Sequence, residues 1–179
     1  MIQFRNNTEK SLEVILWMAN RRPGIDFHAI LKLLFFADVE HLNEYGRPIV
    51  GGRYNALEYG PASKPTHDIL DRDPMILEAL GIDGELPFDV RFRYRVYPKR
   101  EPNMRKLSRS DIQALEKAWD EYSHLDFDGL TEVSHRHPAY KSAEDEGRFR
   151  MRYEDFLEGA NRDPAVVADL QATARRVRI

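Results

Sequence analysis

The chain has 179 residues, of which 32% are charged and 42% hydrophobic, and its formal net charge at pH 7 is −3. This length favours one domain over residues 1–179, and the charge argues against attraction of the whole protein to nucleic acid. No cysteine is present, which excludes disulfides and thiolate zinc sites. The apolar runs are too short for a membrane span or a signal peptide, so we expect a cytoplasmic protein with no membrane partner.

Two helices are predicted at the beginning of the chain. Thr8 is a suitable N-cap for a helix that ends near residue 20, before a segment of arginine, proline and glycine. Asp26 is a suitable N-cap for a second helix, which contains the densest apolar stretch of the sequence. Gly46 followed by Pro48 is typical of a helix end. The second helix is therefore predicted to be the centre of the fold.

A short β element is predicted directly after the central helix. Gly51-Gly52 is a tight-turn signal, and the residues that follow it alternate in the manner of a strand. These signals predict a hairpin near residues 49–59. Gly60-Pro61 is then expected to turn the chain sharply into a third helix.

The clearest strand pattern in the sequence covers residues 88–97. Apolar or aromatic side chains alternate there with polar ones, among them Arg91, Arg93 and Arg95. Because side chains in a strand repeat with a period of two, these three arginines are predicted to share one face. We expect this face to be exposed and basic.

Helices dominate the remainder of the chain. Ser108 and Asp111 have the spacing of a capping box, a helix is predicted at residues 127–135, and Asp163 caps a final helix. Arg175 and Arg176 suit the negative end of that final helix. The predicted fold class is α+β, mainly α: a single compact helical domain with a small antiparallel β element, namely the hairpin near 49–59 and the strand 88–97.

Two polar residues lie inside the apolar stripe of the central helix. A buried carboxylate such as Asp38 is costly unless it is hydrogen-bonded or paired, and His41 lies three residues further along. One interpretation is a structural polar node in which Asp38 accepts hydrogen bonds from the Gly51–Tyr54 backbone or the Tyr54 hydroxyl, with His41 beside it. The other is an acid/base pair for hydrolysis or a metal site that uses Asp38 and His41, with His135 or His137 as the third ligand. We favour the node, because a third metal ligand has to come from a distant part of the chain.

Two long segments resemble a known family. KLLFFADVEHLNEYGRPIVGGRYNALEYGPAS at residues 32–63 and LSRSDIQALEKAWDEYSHLDFDGLTEVSHRHPAYKSA at residues 107–143 are similar to the Panacea domain, the SocA-like family of bacterial and phage proteins. The resemblance covers about residues 8–143 and leaves a helical extension at about 144–179. The residues that match the family's motifs are Asp38, His41, Tyr54, Tyr59, Gly60, Pro61, Ser134, His135, Pro138 and Tyr140.

The resemblance implies a binding protein with no catalytic residue. Members of this family are antitoxins of toxin–antitoxin pairs, so the implied partner is a cognate toxin that the domain neutralises by direct contact. One branch, similar to SocA, is a proteolytic adaptor that delivers a toxin to a AAA+ protease. The sequence contains no nucleotide-binding loop and no nucleophile elbow, and we expect no cofactor. The metal-dependent hydrolase of the previous interpretation is the alternative from a different functional class.

Candidate partner-binding residues lie outside the polar pair. Seven basic residues occur between Arg91 and Lys106, and Glu101 is the one acidic residue among them. Such a patch suits an acidic protein surface or phosphates, or it is simply the solvated side of an edge strand. Because we find no helix-turn-helix signal, we prefer a protein partner to nucleic acid. The candidate residues are Tyr59, Arg91, Arg93, Arg95, Arg175 and Arg176.

Overall fold

A computed structural model describes residues 1–82 and 85–179 of the chain. The α-helices are α1 (Thr8–Arg21), α2 (Phe27–Tyr45), α3 (Lys64–Leu70), α4 (Pro74–Ala79), α5 (Arg109–Tyr122), α6 (Phe127–Arg136), α7 (Pro138–Asp145) and α8 (Pro164–Thr173). The strands are β1 (Ile25–Asp26), β2 (Tyr54–Leu57), β3 (Gly60–Ser63), β4 (Phe88–Arg91) and β5 (Arg95–Pro98). With 58% helix and 11% strand, the predicted class of α+β, mainly α, is confirmed.

Helix α2 is the buried centre of the molecule. It begins after its N-cap Asp26, whose carboxylate accepts a hydrogen bond from the Ala29 amide at 2.8 Å, and it ends at Gly46, as predicted. Its core side chains Leu33, Leu34 and Phe35 are fully buried, and α5, α6 and β3 pack around it. A helix that is buried around most of its circumference is stable only when other elements cover it.

The first hairpin lies further along the chain than predicted. Strands β2 and β3 pair antiparallel, with Tyr54 opposite Ser63, and the turn falls at residues 58–59. Gly51 does not form the hairpin turn: its φ is +68°, and a Cβ there would lie 2.1 Å from the carbonyl oxygen of Arg5. The Gly51-Gly52 pair therefore permits close approach of the N-terminal segment. The prediction that Pro61 begins a helix was also wrong, because Pro61 lies within β3 opposite Ala56.

The prediction of a single strand over residues 88–97 is wrong. The chain reverses there: β4 and β5 form a second antiparallel hairpin, with Arg91 opposite Arg95, and β5 also pairs with β1. Phe92 and Arg93 occupy the turn with φ of 50° and 71°, a region that residues with side chains adopt at a cost. No glycine or asparagine marks this turn, and the alternation of side chains continues through it. Arg93 consequently lies at the tip of the hairpin and does not share a strand face with Arg91.

The C-terminal part of the chain returns to the first hairpin. The Ala56 amide donates to the Phe149 carbonyl at 2.8 Å, and the Met151 amide donates to the Tyr54 carbonyl at 3.0 Å. Asp163 caps α8 as predicted. Within α8, Val166 is 38% exposed, whereas Val167 and Leu170 are half-buried and pack against the hydrophobic cluster, which Ala174 joins directly after the helix.

Buried side chains from both ends of the chain join one hydrophobic cluster. Ile2 and Phe4 belong to it, as do Phe156 and Leu157. The single domain over residues 1–179 stays a prediction. None of the helices in the described parts of the chain is long and apolar enough to cross a membrane.

Candidate functional site

Asp38 connects the central helix to the first hairpin. Its Oδ1 accepts a hydrogen bond from the Ile49 amide at 2.6 Å, and its Oδ2 accepts one from the Tyr54 hydroxyl at 2.8 Å. Asp38 and Tyr54 are both almost completely buried. Burial raises the pKa of the Asp38 carboxyl to about 7, in spite of these donors, which favour the ionised form. The structure thus brings together Asp38 and Tyr54, two of the three residues expected in the polar node.

His41 makes its hydrogen bonds elsewhere. Its Nδ1 lies 2.7 Å from the Arg47 carbonyl oxygen, and its Nε2 lies 3.0 Å from Ser110 Oγ. A carbonyl oxygen can only accept, so Nδ1 carries a proton, while Nε2 faces both the Ser110 hydroxyl and, at 3.3 Å, the Asp111 carboxylate. Burial lowers the pKa of His41, although the nearby Asp111 carboxylate opposes this shift. His41 therefore links α2 to the beginning of α5.

A second buried polar cluster surrounds Asp111. Its carboxylate lies 2.7 Å from Lys10 Nζ and 3.3 Å from both His41 Nε2 and Arg47 Nη1. It also accepts a hydrogen bond from the Ser108 amide at 2.8 Å within the predicted capping box, which is confirmed. Burial opposes ionisation of Asp111, but Lys10 and the Ser108 amide hold the pKa of its carboxyl below the ordinary value. The capping box revealed Asp111 in the sequence, whereas nothing indicated its ion pair with the distant Lys10.

The three candidate metal ligands are not assembled into one site. His135 lies on α6, where its ring stacks on Tyr140 with 4.4 Å between centroids. Asp38 and His41 point to the separate partners described above. Within residues 1–82 and 85–179, no group of three or more His, Asp or Glu side chains is placed to hold a metal ion. The geometry thus gives no support to a hydrolase built on Asp38, His41 and His135.

Gly60 is the point where three separate sequence segments meet. Its φ is +99°, and a Cβ at this position would lie 2.5 Å from Ser134 Oγ and 2.8 Å from Lys32 Cε. The Lys32 ammonium donates to the carbonyl oxygen of the next residue, Pro61, at 3.0 Å. Gly60 therefore lets β3 pack closely against both α2 and α6. Sequence reasoning assigned Gly60-Pro61 a role in shape and gave no sign of the contact with Lys32.

An open cleft of about 790 Å³ lies beside this junction. Lys32 lines it although only 2% of the residue is exposed, and burial lowers the pKa of its amine to about 7. His28 also lines the cleft and stacks on Phe127 with 4.0 Å between ring centroids. Burial, with the charge of Lys32 as a smaller cause, lowers the pKa of His28 to about 4. The cleft thus combines a buried amine with aromatic walls.

The three segments that meet at Gly60 all lie within a stretch that matches a known family. Residues 30–141 match the family described as antitoxin SocA-like, Panacea domain, and they make up more than half of the chain. The chain belongs to this family. Its Panacea domain contains both the Asp38–Tyr54 pair and the junction at Gly60, and membership supports an antitoxin-type role. No curated protein and no solved structure matches the chain.

The strand pairing at residues 149–151 lies outside the matched part of the Panacea domain. It is joined to that part through Tyr54 and Ala56 of β2. Asn43 adds a second connection, because its side chain donates to the Phe156 carbonyl at 2.8 Å. The C-terminal extension therefore contacts both the central helix and the first hairpin.

The candidate partner-binding residues of the Panacea domain and its extension occupy two separate surfaces. Tyr59 and Arg95 line the cleft, and Arg91 and Arg93 are exposed on the adjoining second hairpin. Tyr59 is 51% exposed and packs edge to face on Phe127, with 5.3 Å between ring centroids. The other two candidates lie beside the N-terminal segment and line a different groove: Arg175 and Arg176.

Proposed function

We propose that this Panacea-domain protein is an antitoxin that neutralises a cognate toxin by direct protein–protein contact, without a cofactor. The observation that carries the proposal is the match of residues 30–141 to the SocA-like antitoxin family. The two buried carboxylates Asp38 and Asp111 are held by internal hydrogen bonds and ion pairs. They are better suited to holding the fold than to chemistry on a substrate.

The proposed contact surface consists of the second hairpin and the mouth of the cleft. Arg91 lies over the ring of Tyr97 at 4.8 Å, and Arg93 lies over the ring of Tyr94 at 5.6 Å. Exposed arginine and aromatic side chains are the residue types enriched in protein interfaces. Arg175 and Arg176 are proposed as a separate contact region on the C-terminal extension.

Growth rescue in bacteria tests the proposed function. The candidate toxin is the product of the open reading frame adjacent to the gene for this chain. It is expressed alone and together with this chain. We expect the adjacent product to arrest growth and this chain to restore it. If the chain restores no growth although both proteins accumulate, the antitoxin proposal is wrong.

A second host separates direct neutralisation from protease delivery. In cells that lack their AAA+ proteases, a direct inhibitor still restores growth and the toxin remains intact. An adaptor of the SocA type restores growth only where the protease is present, and the toxin disappears. We expect the first result.

A further inference from the structure

The cleft beside the first hairpin contains a buried amine without a counter-ion. Lys32 Nζ donates to the Pro61 carbonyl at 3.0 Å, and no carboxylate in the described parts of the chain forms an ion pair with it. Removing an ammonium group from water is costly unless an opposite charge approaches it. Lys32 is thus arranged to receive an anion from outside the chain.

The other charged groups of the cleft are already engaged. The Asp26 carboxylate accepts from the Ala29 amide at 2.8 Å, and Arg95 donates to the Gly24 carbonyl at 3.0 Å. Asp71 Oδ2 lies 3.0 Å from His67 Nδ1. Arg95 is exposed, so water compensates its charge, whereas Lys32 is buried with the neutral Pro61 carbonyl as its hydrogen-bond acceptor.

Exposed aromatic side chains surround the opening of the cleft. Phe92 is 81% exposed and Tyr94 53%, and Tyr94 packs edge to face on Phe27 with 5.7 Å between ring centroids. Tyr59 and Phe127 form a similar pair. Large aromatic surfaces left in water are typical of binding sites, where they contribute most of the affinity.

We propose that this cleft binds an acidic side chain, aspartate or glutamate, of the toxin, with the carboxylate paired to Lys32 and neighbouring apolar groups of the toxin packed on the aromatic rim. The inference rests on the proposed antitoxin function and adds the site and the chemistry of recognition. A single buried amine beside an aromatic rim matches one carboxylate, whereas the phosphates of a nucleic acid require an extended row of exposed cations.

The decisive experiment compares two lysine-to-methionine variants by calorimetric titration with the purified product of the adjacent reading frame. Lys32→Met keeps the length of the side chain and removes its charge, and Lys141→Met makes the same change at an exposed position of α7. We expect Lys32→Met to weaken binding at least about tenfold and Lys141→Met to leave it unchanged. Tyr59→Ala, at the exposed rim, is expected to weaken binding even if Lys32→Met does not fold.

A double-mutant cycle then identifies the partner charge. Each aspartate and glutamate on the toxin is changed to its amide and titrated against the wild-type chain and Lys32→Met. One amide variant should weaken binding to the wild-type chain and have no further effect on Lys32→Met, because both changes remove the same ion pair.

The pH dependence of binding provides a third readout. An amine that is half protonated near pH 7 must take up a proton to pair with a carboxylate, so affinity for the wild-type chain should fall between pH 7 and 9. Lys32→Met should lose that fall. The other titratable or charged groups around Lys32 are the same in both proteins: Asp26, His28, Tyr59, His67, Asp71, Tyr94, Arg95 and His135.

The outcomes separate the two proposals. If the wild-type chain binds the toxin and both Lys32→Met and Tyr59→Ala bind equally well, the cleft is not the docking site and the antitoxin function stands. If Lys32 instead governs binding of free glutamate while toxin affinity is unaffected, the cleft is a small-molecule site and the inference is overturned. If the wild-type chain neither binds nor neutralises the adjacent product, both proposals fail.

Discussion

The Tyr54 hydroxyl donates a hydrogen bond to Asp38 Oδ2 at 2.8 Å, in a core where both residues are almost fully buried. This bond joins the central helix to the first hairpin, and the Ile49 amide adds a second donor to the same carboxylate at 2.6 Å. A buried group that loses its partner costs more than the bond itself contributed, because it remains without water. Asp38 is therefore a stability determinant of the Panacea domain in this account.

Replacing Asp38 should destabilise the protein. Asp38→Ala leaves the Ile49 amide and the Tyr54 hydroxyl without an acceptor, so we expect a loss of about 3 kcal/mol in the free energy of unfolding. Asp38→Asn keeps one acceptor for the amide and can donate to the hydroxyl, and it should lose less. Urea denaturation measures both variants. Wild-type stability of Asp38→Ala together with lost toxin neutralisation would show that Asp38 acts in function and not in the fold.

The same carboxyl should make stability depend on pH. In the unfolded chain Asp38 ionises near its ordinary value of 3.8, whereas burial raises its pKa to about 7 in the native state. Between these values the native state binds more protons, so this group's contribution to stability falls as pH rises from about 4 to 7.

Asp38→Asn isolates that contribution. The difference in unfolding free energy between wild type and Asp38→Asn should change by up to about 4 kcal/mol across this window and stay constant above it. His28 and His137, whose pKa values burial lowers to about 4, are present in both proteins and cancel in the difference. A constant difference from pH 4 to 8 contradicts the raised pKa.

The junction at Gly60 should tolerate no side chain. Gly60→Ala places a Cβ 2.5 Å from Ser134 Oγ and 2.8 Å from Lys32 Cε, in addition to the cost of a positive φ. Gly147→Ala is a matched control, since Gly147 has a φ of +62° and no neighbour within 4 Å of the added atom. We expect the control to lose about 1 kcal/mol of unfolding free energy and Gly60→Ala to lose clearly more. Equal losses mean that β3 can shift without cost.

Charge reversal on the second hairpin tests the basic contact surface. The triple variant Arg91/Arg93/Arg95→Glu should weaken toxin binding at least about tenfold at low ionic strength, and added salt should reduce the difference from wild type. Arg105→Glu, at an exposed position outside the hairpin, should have little effect. If toxin affinity and its salt dependence are the same in the triple variant as in wild type, these arginines are exposed to solvent and do not contact the toxin.

Sequence patterns predicted the elements whose signals are local. Helix α2 begins after Asp26 and ends at Gly46, as predicted, and α5 begins at the capping box of Ser108 and Asp111. These signals were readable because caps and terminators act within a few residues. The turn at Phe92 and Arg93 was missed because these residues carry no turn signal of their own and are held at positive φ by the pairing of β4, β5 and β1. Tertiary pairing there overrides a local preference.

The candidate site was predictable in part. A carboxylate within an apolar helix face requires donors, and the Tyr54 hydroxyl was one of the predicted donors, whereas the backbone donor is Ile49 and not a residue of Gly51–Tyr54. His41 was expected beside Asp38 but bonds to Arg47 and Ser110. The cleft could not be foreseen, because Lys32, Tyr59 and Phe127 come from elements whose relative placement depends on the packing of the whole core.

We propose that this chain inactivates its toxin by direct binding, without delivery to a protease. The most direct test mixes the purified chain with the purified product of the adjacent reading frame, with no protease present, and follows the toxin's activity as the chain is added. We expect the activity to fall to zero as a stable complex forms. Full toxin activity at saturating concentrations of the chain would contradict it.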